Sequence, residues 1–216
     1  MSDIITLPAP PRLAIDGQDD TFPVARVFCI GRNYADHAKE MGAAAEPLFF
    51  CKHADAVTPL NRLPFPPETE DLHHEVEMVL ALGESGAIVA SGVGVDLTRR
   101  DLQAKLKAKS APWEIAKAFH QSAPTGPLRL GPPPTAGAIT LSVNGEPRQS
   151  GDLSQMILDP QAMLAELSRY FVLGPGDLVF TGTPAGVGPL HPGDRVEARV
   201  EGLPTLSFEF QAETAS

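Results

Sequence analysis

Several features that mark other classes of protein are scarce in this sequence of 216 residues. It holds two cysteines, too few for a disulfide framework. Because Cys29 and Cys51 each lie in an apolar run, we expect buried free thiols of a reducing compartment, with a disulfide between them as the alternative. Lysine and arginine number 17 against 27 acidic residues, and no basic stripe offsets the formal net charge of −10. The sequence therefore predicts no nucleic-acid partner.

Long hydrophobic runs are also lacking. The longest uncharged apolar stretch, residues 85–95, is too short to span a bilayer and is rich in Gly and Ser. Residues 1–5 show no basic region followed by an apolar run, so we predict no signal peptide. The expectation is a cytoplasmic protein without a membrane partner.

Proline and glycine, in contrast, are abundant, at 22 and 19 residues. They indicate many turns and hence many short strands, in a chain long enough to bury a core. The sequence shows no internal repeat, coiled coil or linker. We therefore predict one β-rich domain, residues 24–216, preceded by a proline-rich lead-in, residues 1–23.

The stretch 71–80 alternates between two kinds of side chain. Glu75, Glu77 and Val79 fall on one face of a predicted strand, and the residues between them fall on the other. Two neighbouring carboxylates repel each other unless a positive group lies between them. One interpretation is a solvent-facing edge of a half-buried strand; the other is half of an oxygen-rich site for Mg²⁺ or Mn²⁺. Asp96, at the end of a predicted strand of small residues, is a candidate third ligand.

A histidine–glutamate pair is a second candidate feature. Asn33 suits the N-cap of a helix predicted over residues 34–41, on which His37 and Glu40 share a face. The pair is either a surface contact or a base oriented by a carboxylate, able to take a proton from water. Lys117 lies among apolar residues, either as a lysine that extends to solvent or as a positive group aimed at a substrate.

A basic helix is predicted after Thr98, its expected N-cap. We expect Lys105, Lys107 and Lys109 on a solvated face of this helix. The glycine-rich loop 181–188 lacks the Gly-Lys-Ser/Thr of a nucleotide-phosphate loop, although its amides and hydroxyls can cradle a carboxylate.

Two local signals are strong. Residues 139–143 followed by Asn144 and Gly145 predict a hairpin with a type I′ turn. Asp159 and Pro160 predict the start of a helix, as N-cap and first helical residue.

Five segments in this order resemble the fumarylacetoacetate hydrolase family, and within it the single-domain bacterial fumarylpyruvate and acylpyruvate hydrolases. They are Gly-Arg-Asn-Tyr-Ala-Asp-His at 31–37, His-Glu-Val-Glu at 74–77, Asp-Leu-Thr-Arg-Arg-Asp-Leu-Gln at 96–103, Pro-Trp-Glu-Ile-Ala-Lys at 112–117 and Thr-Gly-Thr-Pro-Ala-Gly-Val-Gly at 181–188. The resemblance runs from about residue 24 to residue 202. Five motifs in register are far more specific than any one of them.

The resemblance implies a mainly β fold with a few short helices, a mixed β-roll or β-sandwich of the family's C-terminal-domain type, and a homodimer. It implies Mg²⁺ or Mn²⁺ held by Glu75, Glu77 and Asp96. The implied catalytic residues are His37, Glu40 and Lys117. The implied substrate-binding residues are Arg32, Tyr34, Arg100, Gln103 and Thr183.

The resemblance further implies hydrolysis of a C–C bond in a 2,4-diketo acid such as fumarylpyruvate, with release of pyruvate, as in aromatic catabolism. One alternative on the same fold is an oxaloacetate-type decarboxylase or a hydroxydienedioate isomerase. Another is a non-catalytic β-rich binding protein with ordinary surface acids. The sequence departs from the family pattern in three places. The segment between residues 82 and 92 is short, where relatives usually have an additional helix. Residue 53 is His where relatives typically have Pro, and residue 120 is His where close relatives often have Asp.

Overall fold

The computed structural model describes residues 4–40, 42 and 46–212. Within them the strands are β1 (Arg12–Ala14), β2 (Thr21–Pro23), β3 (Arg26–Gly31), β4 (Leu48–Lys52), β5 (Val57–Thr58), β6 (Arg62–Leu63), β7 (Leu72–His74), β8 (Val76–Leu82), β9 (Ile88–Val95), β10 (Thr98–Arg99), β11 (Ala123–Pro124), β12 (Arg129–Leu130), β13 (Ala138–Val143), β14 (Glu146–Asp152), β15 (Asp177–Phe180), β16 (Gly188–Leu190), β17 (Arg195–Val200) and β18 (Leu206–Phe210). The helices are α1 (Ala35–Glu40), α2 (Arg100–Ala108), α3 (Glu114–Lys117) and α4 (Pro160–Leu167). The predicted mainly β fold with few short helices is confirmed.

Two large mixed sheets dominate the architecture. The first has the strand order β12-β9-β8-β15-β3-β4, antiparallel except for the parallel pair β15 and β3. The second has the order β14-β13-β17-β18-β6, antiparallel except for β18 and β6. The larger core cluster unites side chains from both sheets, such as Met78 and Leu80 from the first with Leu141 and Phe208 from the second. A smaller sheet has the strand order β10-β7-β16. In the sequence, β7 directly precedes β8 and β10 directly follows β9.

Strand β8 is an interior strand, and both of its faces are buried. Met78 and Leu80 belong to the larger core cluster, whereas Ala81 belongs to a second cluster on the opposite face. The predicted alternation is therefore present. The interpretation of Glu75 and Glu77 as a solvent-facing edge is wrong, because their side chains are buried.

The local signals for the hairpin and for α4 are confirmed. Asn144 and Gly145 both have positive φ, 54° and 83°, as a type I′ turn between β13 and β14 requires. The Asp159 side chain accepts a hydrogen bond of 2.8 Å from Ala162 N, with Pro160 at the first helical position. A carboxylate cap followed by proline thus starts α4 where the sequence indicates it.

The expected N-cap role of Asn33 is wrong. Its amide nitrogen donates to Leu158 O at 3.0 Å and Thr181 O at 2.8 Å, and its amide oxygen accepts from Leu158 N at 2.8 Å. With all of these bonds made to distant loops, Asn33 fixes those loops to the end of β3. Met41, the last residue of the predicted helix, lies outside the described residues.

The structure also decides the expectations for Thr98, for the two cysteines and for the short segment between β8 and β9. Thr98 belongs to β10, and α2 begins at Arg100 with no side-chain cap. Both cysteines are free, but only Cys29 is buried; Cys51 is exposed. The short segment between β8 and β9 is a tight turn containing a 3₁₀ helix, Glu84–Gly86, which joins two directly paired strands.

Candidate active site

Most of the predicted site residues converge on one cleft. The cleft is lined by His37, Arg32, Glu75, Glu77, Asp96, Arg100, Gln103, Lys117 and Thr183, with apolar walls from Ile30, Leu48, Phe50 and Trp113. These residues lie on β3, β4, β8 and the helices α1 to α3, or in the segments just after β3, β7, β9 and β15 and just before α3. Segments far apart in sequence therefore meet at one place because the first large sheet pairs their strands.

The three predicted metal ligands are neighbours. Glu75 lies between β7 and β8, Glu77 in β8, and Asp96 just after β9, with Asp96 N donating to Glu75 O at 2.8 Å. One oxygen from each carboxylate lies within 4.8 Å of the others. The exposed fractions are 5%, 2% and 1%, so three acidic side chains share one buried volume. Burying carboxylates at this spacing is costly unless positive groups or a cation compensate them.

Two basic side chains compensate part of this charge. Lys117 Nζ lies 2.8 Å from Glu75 Oε2 and 2.7 Å from Asp96 Oδ2. Arg100 Nη2 lies 2.5 Å from Glu75 Oε1. Burial alone would raise the pKa of Glu75, but the charges of Lys117 and Arg100 outweigh burial and lower it. Burial likewise opposes the charge on Lys117, but Asp96 and Glu75 outweigh it and raise the pKa of the ammonium.

Lys52 is a basic residue of the site that sequence reasoning missed. Its buried Nζ lies 2.8 Å from Asp96 Oδ1 and donates to Ser122 Oγ at 2.9 Å and to Lys117 O. It therefore links one carboxylate to the backbone that carries Lys117. Its signal in the sequence is a lysine that ends an otherwise apolar strand.

Glu77 is the least compensated of the three carboxylates. Its Oε2 accepts a hydrogen bond of 2.6 Å from Gly182 N, and within the described ranges no basic side chain lies within 4.0 Å of it. Burial and the charges of Asp96 and Glu75 raise its pKa well above the usual range. A divalent cation among these oxygens would supply the missing positive charge. Hard, buried carboxylate donors suit Mg²⁺ or Mn²⁺, so the residues present fit such an ion.

Gly182 can hold Glu77 only because it has no side chain. Its φ is +92°, and a Cβ there would approach Asn33 Cβ to 2.8 Å. The loop after β15 therefore supplies a backbone N–H to the carboxylate, as the glycine-rich sequence suggested it could.

The histidine–glutamate pair lies at the same cleft. His37 Nδ1 is 3.2 Å from Glu40 Oε2, and Glu40 Oε1 accepts from Gly186 N at 3.1 Å. His37 is buried and lines the cleft, whereas Glu40 is exposed and does not line it. Because the carboxylate accepts from Nδ1–H, this contact favours the tautomer whose Nε2 is free to accept a proton.

Thr183 is oriented by a residue that the sequence did not indicate. Gln149 Nε2 donates to Thr183 Oγ1 at 2.7 Å, and Gln149 Oε1 accepts from Val76 N at 3.0 Å. The backbone N–H can only donate, so the orientation of this amide is determined. Thr183 then accepts from Gln149, and its own hydrogen remains available to an acceptor in the cleft.

Like Glu40, Tyr34 and His120 do not line the cleft. The Tyr34 hydroxyl is buried and has no hydrogen-bond partner among the described residues. Burial raises the pKa of this hydroxyl. His120 is largely exposed and faces Asp55 at 4.0 Å. Lys107, expected on a solvated face, lines the cleft instead, so that expectation is wrong.

The fold and the carboxylate cluster together define a β-rich enzyme of the kind that holds a divalent metal ion. Over residues 26–211 the chain matches the family described as fumarylacetoacetate hydrolase C-terminal, and it belongs to that family. The resemblance stated from the sequence motifs is thereby confirmed.

Known proteins similar to this chain carry two kinds of name. A crystal structure of fumarylpyruvate hydrolase from Pseudomonas aeruginosa, in complex with Mn²⁺ and pyruvate, is 44% identical, covers 98% of this chain and 100% of its own, and has a TM-score of 0.95. The oxaloacetate tautomerase YcgM of Escherichia coli is 40% identical over 84% of this chain and 90% of its own length. The human mitochondrial oxaloacetate tautomerase FAHD1 is 36% identical over 86% and 91%. In the described part of the chain, no helix has the length and apolar character needed to cross a membrane.

Proposed function

We propose that this protein is a divalent-metal-dependent hydrolase that cleaves a C–C bond in acylpyruvates such as fumarylpyruvate and releases pyruvate. The observation that carries the proposal is the His37–Glu40 pair, which lies at the same cleft as the carboxylate cluster. A hydrolase requires an activated water, and this pair supplies a base for it. The similarity to the fumarylpyruvate hydrolase structure supports the same class of substrate.

Glu75, Glu77 and Asp96 would hold the metal ion. Bound there, Mg²⁺ or Mn²⁺ supplies Lewis-acid chemistry to the keto and carboxylate oxygens of the substrate. The crystallised fumarylpyruvate hydrolase contains Mn²⁺ together with pyruvate, the product expected of this chain.

His37 acts as the general base in the proposed reaction. Its Nε2 takes a proton from water, while Glu40 holds Nδ1–H and stabilises the imidazolium that forms. The water oxygen bonds to the distal carbonyl carbon. The C–C bond to the pyruvate unit then breaks, and its electron pair remains on pyruvate as the enolate, which a proton converts to pyruvate.

Lys117 and Thr183 provide donors to oxygens of the substrate. Lys117 Nζ faces the cleft from a buried position and can stabilise an oxyanion. The Thr183 hydroxyl, oriented by Gln149, donates to a carboxylate or carbonyl oxygen. Arg100 and Gln103, hydrogen-bonded to each other at 2.8 Å, extend this polar wall along α2.

A second candidate function is tautomerisation or decarboxylation of oxaloacetate. The similarity to two oxaloacetate tautomerases favours it. Neither reaction needs a water molecule that attacks carbon. A non-catalytic role is disfavoured, because a binding protein has no need for three buried carboxylates at an open cleft.

The test is His37→Ala, assayed on fumarylpyruvate and on oxaloacetate with Mn²⁺ present. We expect the rate of pyruvate release from fumarylpyruvate to fall by about 10²–10⁴-fold, the usual effect of losing a general base. Any activity on oxaloacetate should fall much less, and Mn²⁺ binding should not change. His191→Ala, at an exposed histidine on the protein surface, is the matched control. Near wild-type hydrolysis by the His37 variant would contradict the proposed role.

The homodimer and the role in aromatic catabolism remain proposals drawn from the family resemblance. A molar mass measured by light scattering tests the first: about twice the 22.9 kDa of the chain supports it, and a monomer contradicts it.

A further inference from the structure

Lys107 holds a position in the cleft that the proposed reaction does not yet use. It lies on α2 at the spacing i, i+3 and i+7 with Arg100 and Gln103, so all three share the helix face toward the cleft. Its neighbours Lys105 and Lys109 are exposed, while Lys107 is half-buried. The Lys107 Nζ lies 5.0 Å from the centroid of the Trp113 ring, a cation–π contact that holds the ammonium at the cleft wall.

The basic groups of the cleft divide into two sets. Arg100 and Lys117 form ion pairs with Glu75, and Lys117 also pairs with Asp96. Arg32 and Lys107 have no carboxylate within 4.0 Å among residues 4–40, 42 and 46–212. Burial, together with repulsion from Arg100 and Lys117, lowers the pKa of Lys107. A ligand that brings its own negative charge would relieve this repulsion.

The distance along α2 suggests which charge that is. Arg100, which pairs with the metal-site carboxylate Glu75, and Lys107 are seven residues apart, about 10 Å along a helix. In an extended fumarylpyruvate the two carboxylates are about 7 to 8 Å apart, for bonds of about 1.5 Å. A substrate whose keto-acid end lies at the carboxylate cluster can therefore place its far end near Lys107.

We propose that Lys107 binds the distal carboxylate of the substrate and makes the enzyme selective for dicarboxylic acylpyruvates over monocarboxylic ones. This inference rests on the proposed function. Arg32 also lines the cleft, has no carboxylate within 4.0 Å in the described part of the chain, and is a second donor for the same carboxylate. Lys107 is then a specificity residue, with no part in the breaking of the C–C bond.

The test compares fumarylpyruvate with crotonylpyruvate, which carries a methyl group in place of the distal carboxylate. For Lys107→Met we expect kcat/KM on fumarylpyruvate to fall by about tenfold or more, mainly through KM, because a charged hydrogen bond is lost. On crotonylpyruvate, kcat/KM should change by less than about twofold, since no charge faces Lys107. Lys107→Arg keeps the charge and should keep most of the selectivity. Lys105→Met, at an exposed position of α2, and Lys109→Met, at the exposed residue that follows α2, should leave the ratio of the two substrates unchanged.

The outcomes separate the possible failures. An equal loss on both substrates would show that Lys107 is structural, and no loss on either would show that the distal carboxylate binds elsewhere; each overturns the inference. If the wild type cleaves neither substrate, the proposed hydrolase function fails instead. The inference is then decided by calorimetric binding of the same two compounds to the Mn²⁺-loaded protein, where Lys107→Met must weaken only fumarylpyruvate.

Discussion

Glu77→Gln separates the proposed metal-binding role of the carboxylate cluster from its role in folding. The side chain is 2% exposed, and burial with the charges of Asp96 and Glu75 raises the pKa of Glu77 well above its usual range. In the metal-free protein an amide resembles the protonated acid that this environment favours, and its oxygen can still accept from Gly182 N. The melting temperature without metal should therefore stay close to that of the wild type.

Added Mn²⁺ should distinguish the two proteins. At a concentration of about 100 times the Kd, an ion that binds only the folded state adds about 2.7 kcal/mol to the free energy of unfolding. For a chain of this size, 1 kcal/mol corresponds to about 2–4 °C, so the wild type should gain about 5–11 °C. If the variant binds about a hundredfold more weakly, the same Mn²⁺ adds about 0.4 kcal/mol, or about 1 °C.

Differential scanning calorimetry with and without Mn²⁺ measures both quantities. Glu146→Gln, which makes the same chemical change at an exposed position of β14, should retain the full gain. A wild-type protein that gains nothing from Mn²⁺ or Mg²⁺, or a Glu77 variant that gains as much as the wild type, would refute the metal site.

Two further substitutions test other parts of the site and fold. Lys117→Met leaves Glu75 and Asp96 without their shared ammonium, so the melting temperature of the metal-free protein should fall. Saturating Mn²⁺ should restore the melting temperature but not turnover. If Mn²⁺ does not restore the melting temperature, Lys117 is structural. Burial alone would raise the pKa of Asp101, but its hydrogen bonds, the strongest from Thr69 Oγ1, outweigh burial and lower the pKa. The Asp101 carboxylate therefore stabilises the fold at pH values above its pKa in the unfolded chain. This stabilisation is lost as the pH falls through the pKa of Asp101 in the folded protein. Asp101→Asn should accordingly lower the stability to urea at pH 7, with the deficit shrinking toward pH 3; an equal deficit at both pH values would contradict this account.

The carboxylate cluster shows how far sequence reasoning extends. Period-two alternation correctly separates Glu75 and Glu77 from the residues between them, because the backbone of a strand dictates it. It cannot reveal that β8 is an interior strand, since that depends on pairing with β9 and β15. Burial of the acids, the property that distinguishes a metal site from a surface edge, comes from tertiary structure alone.

Errors in the individual roles have the same origin. Asn33 has the residue type of an N-cap, but its amide bonds to Leu158 and Thr181, more than a hundred residues away. Lys107 looks like its neighbours Lys105 and Lys109 in the sequence. Its spacing from Arg100 and Gln103 was a usable signal, because on a helix the three share a face.

The most direct test of the central claim is the release of pyruvate and fumarate from fumarylpyruvate by the purified protein. We expect both products in equal amounts, with a rate that depends on added Mn²⁺ or Mg²⁺ and is abolished by EDTA. A protein that converts oxaloacetate under these conditions but leaves fumarylpyruvate intact would contradict the account, and would move the assignment to the tautomerase side of the family.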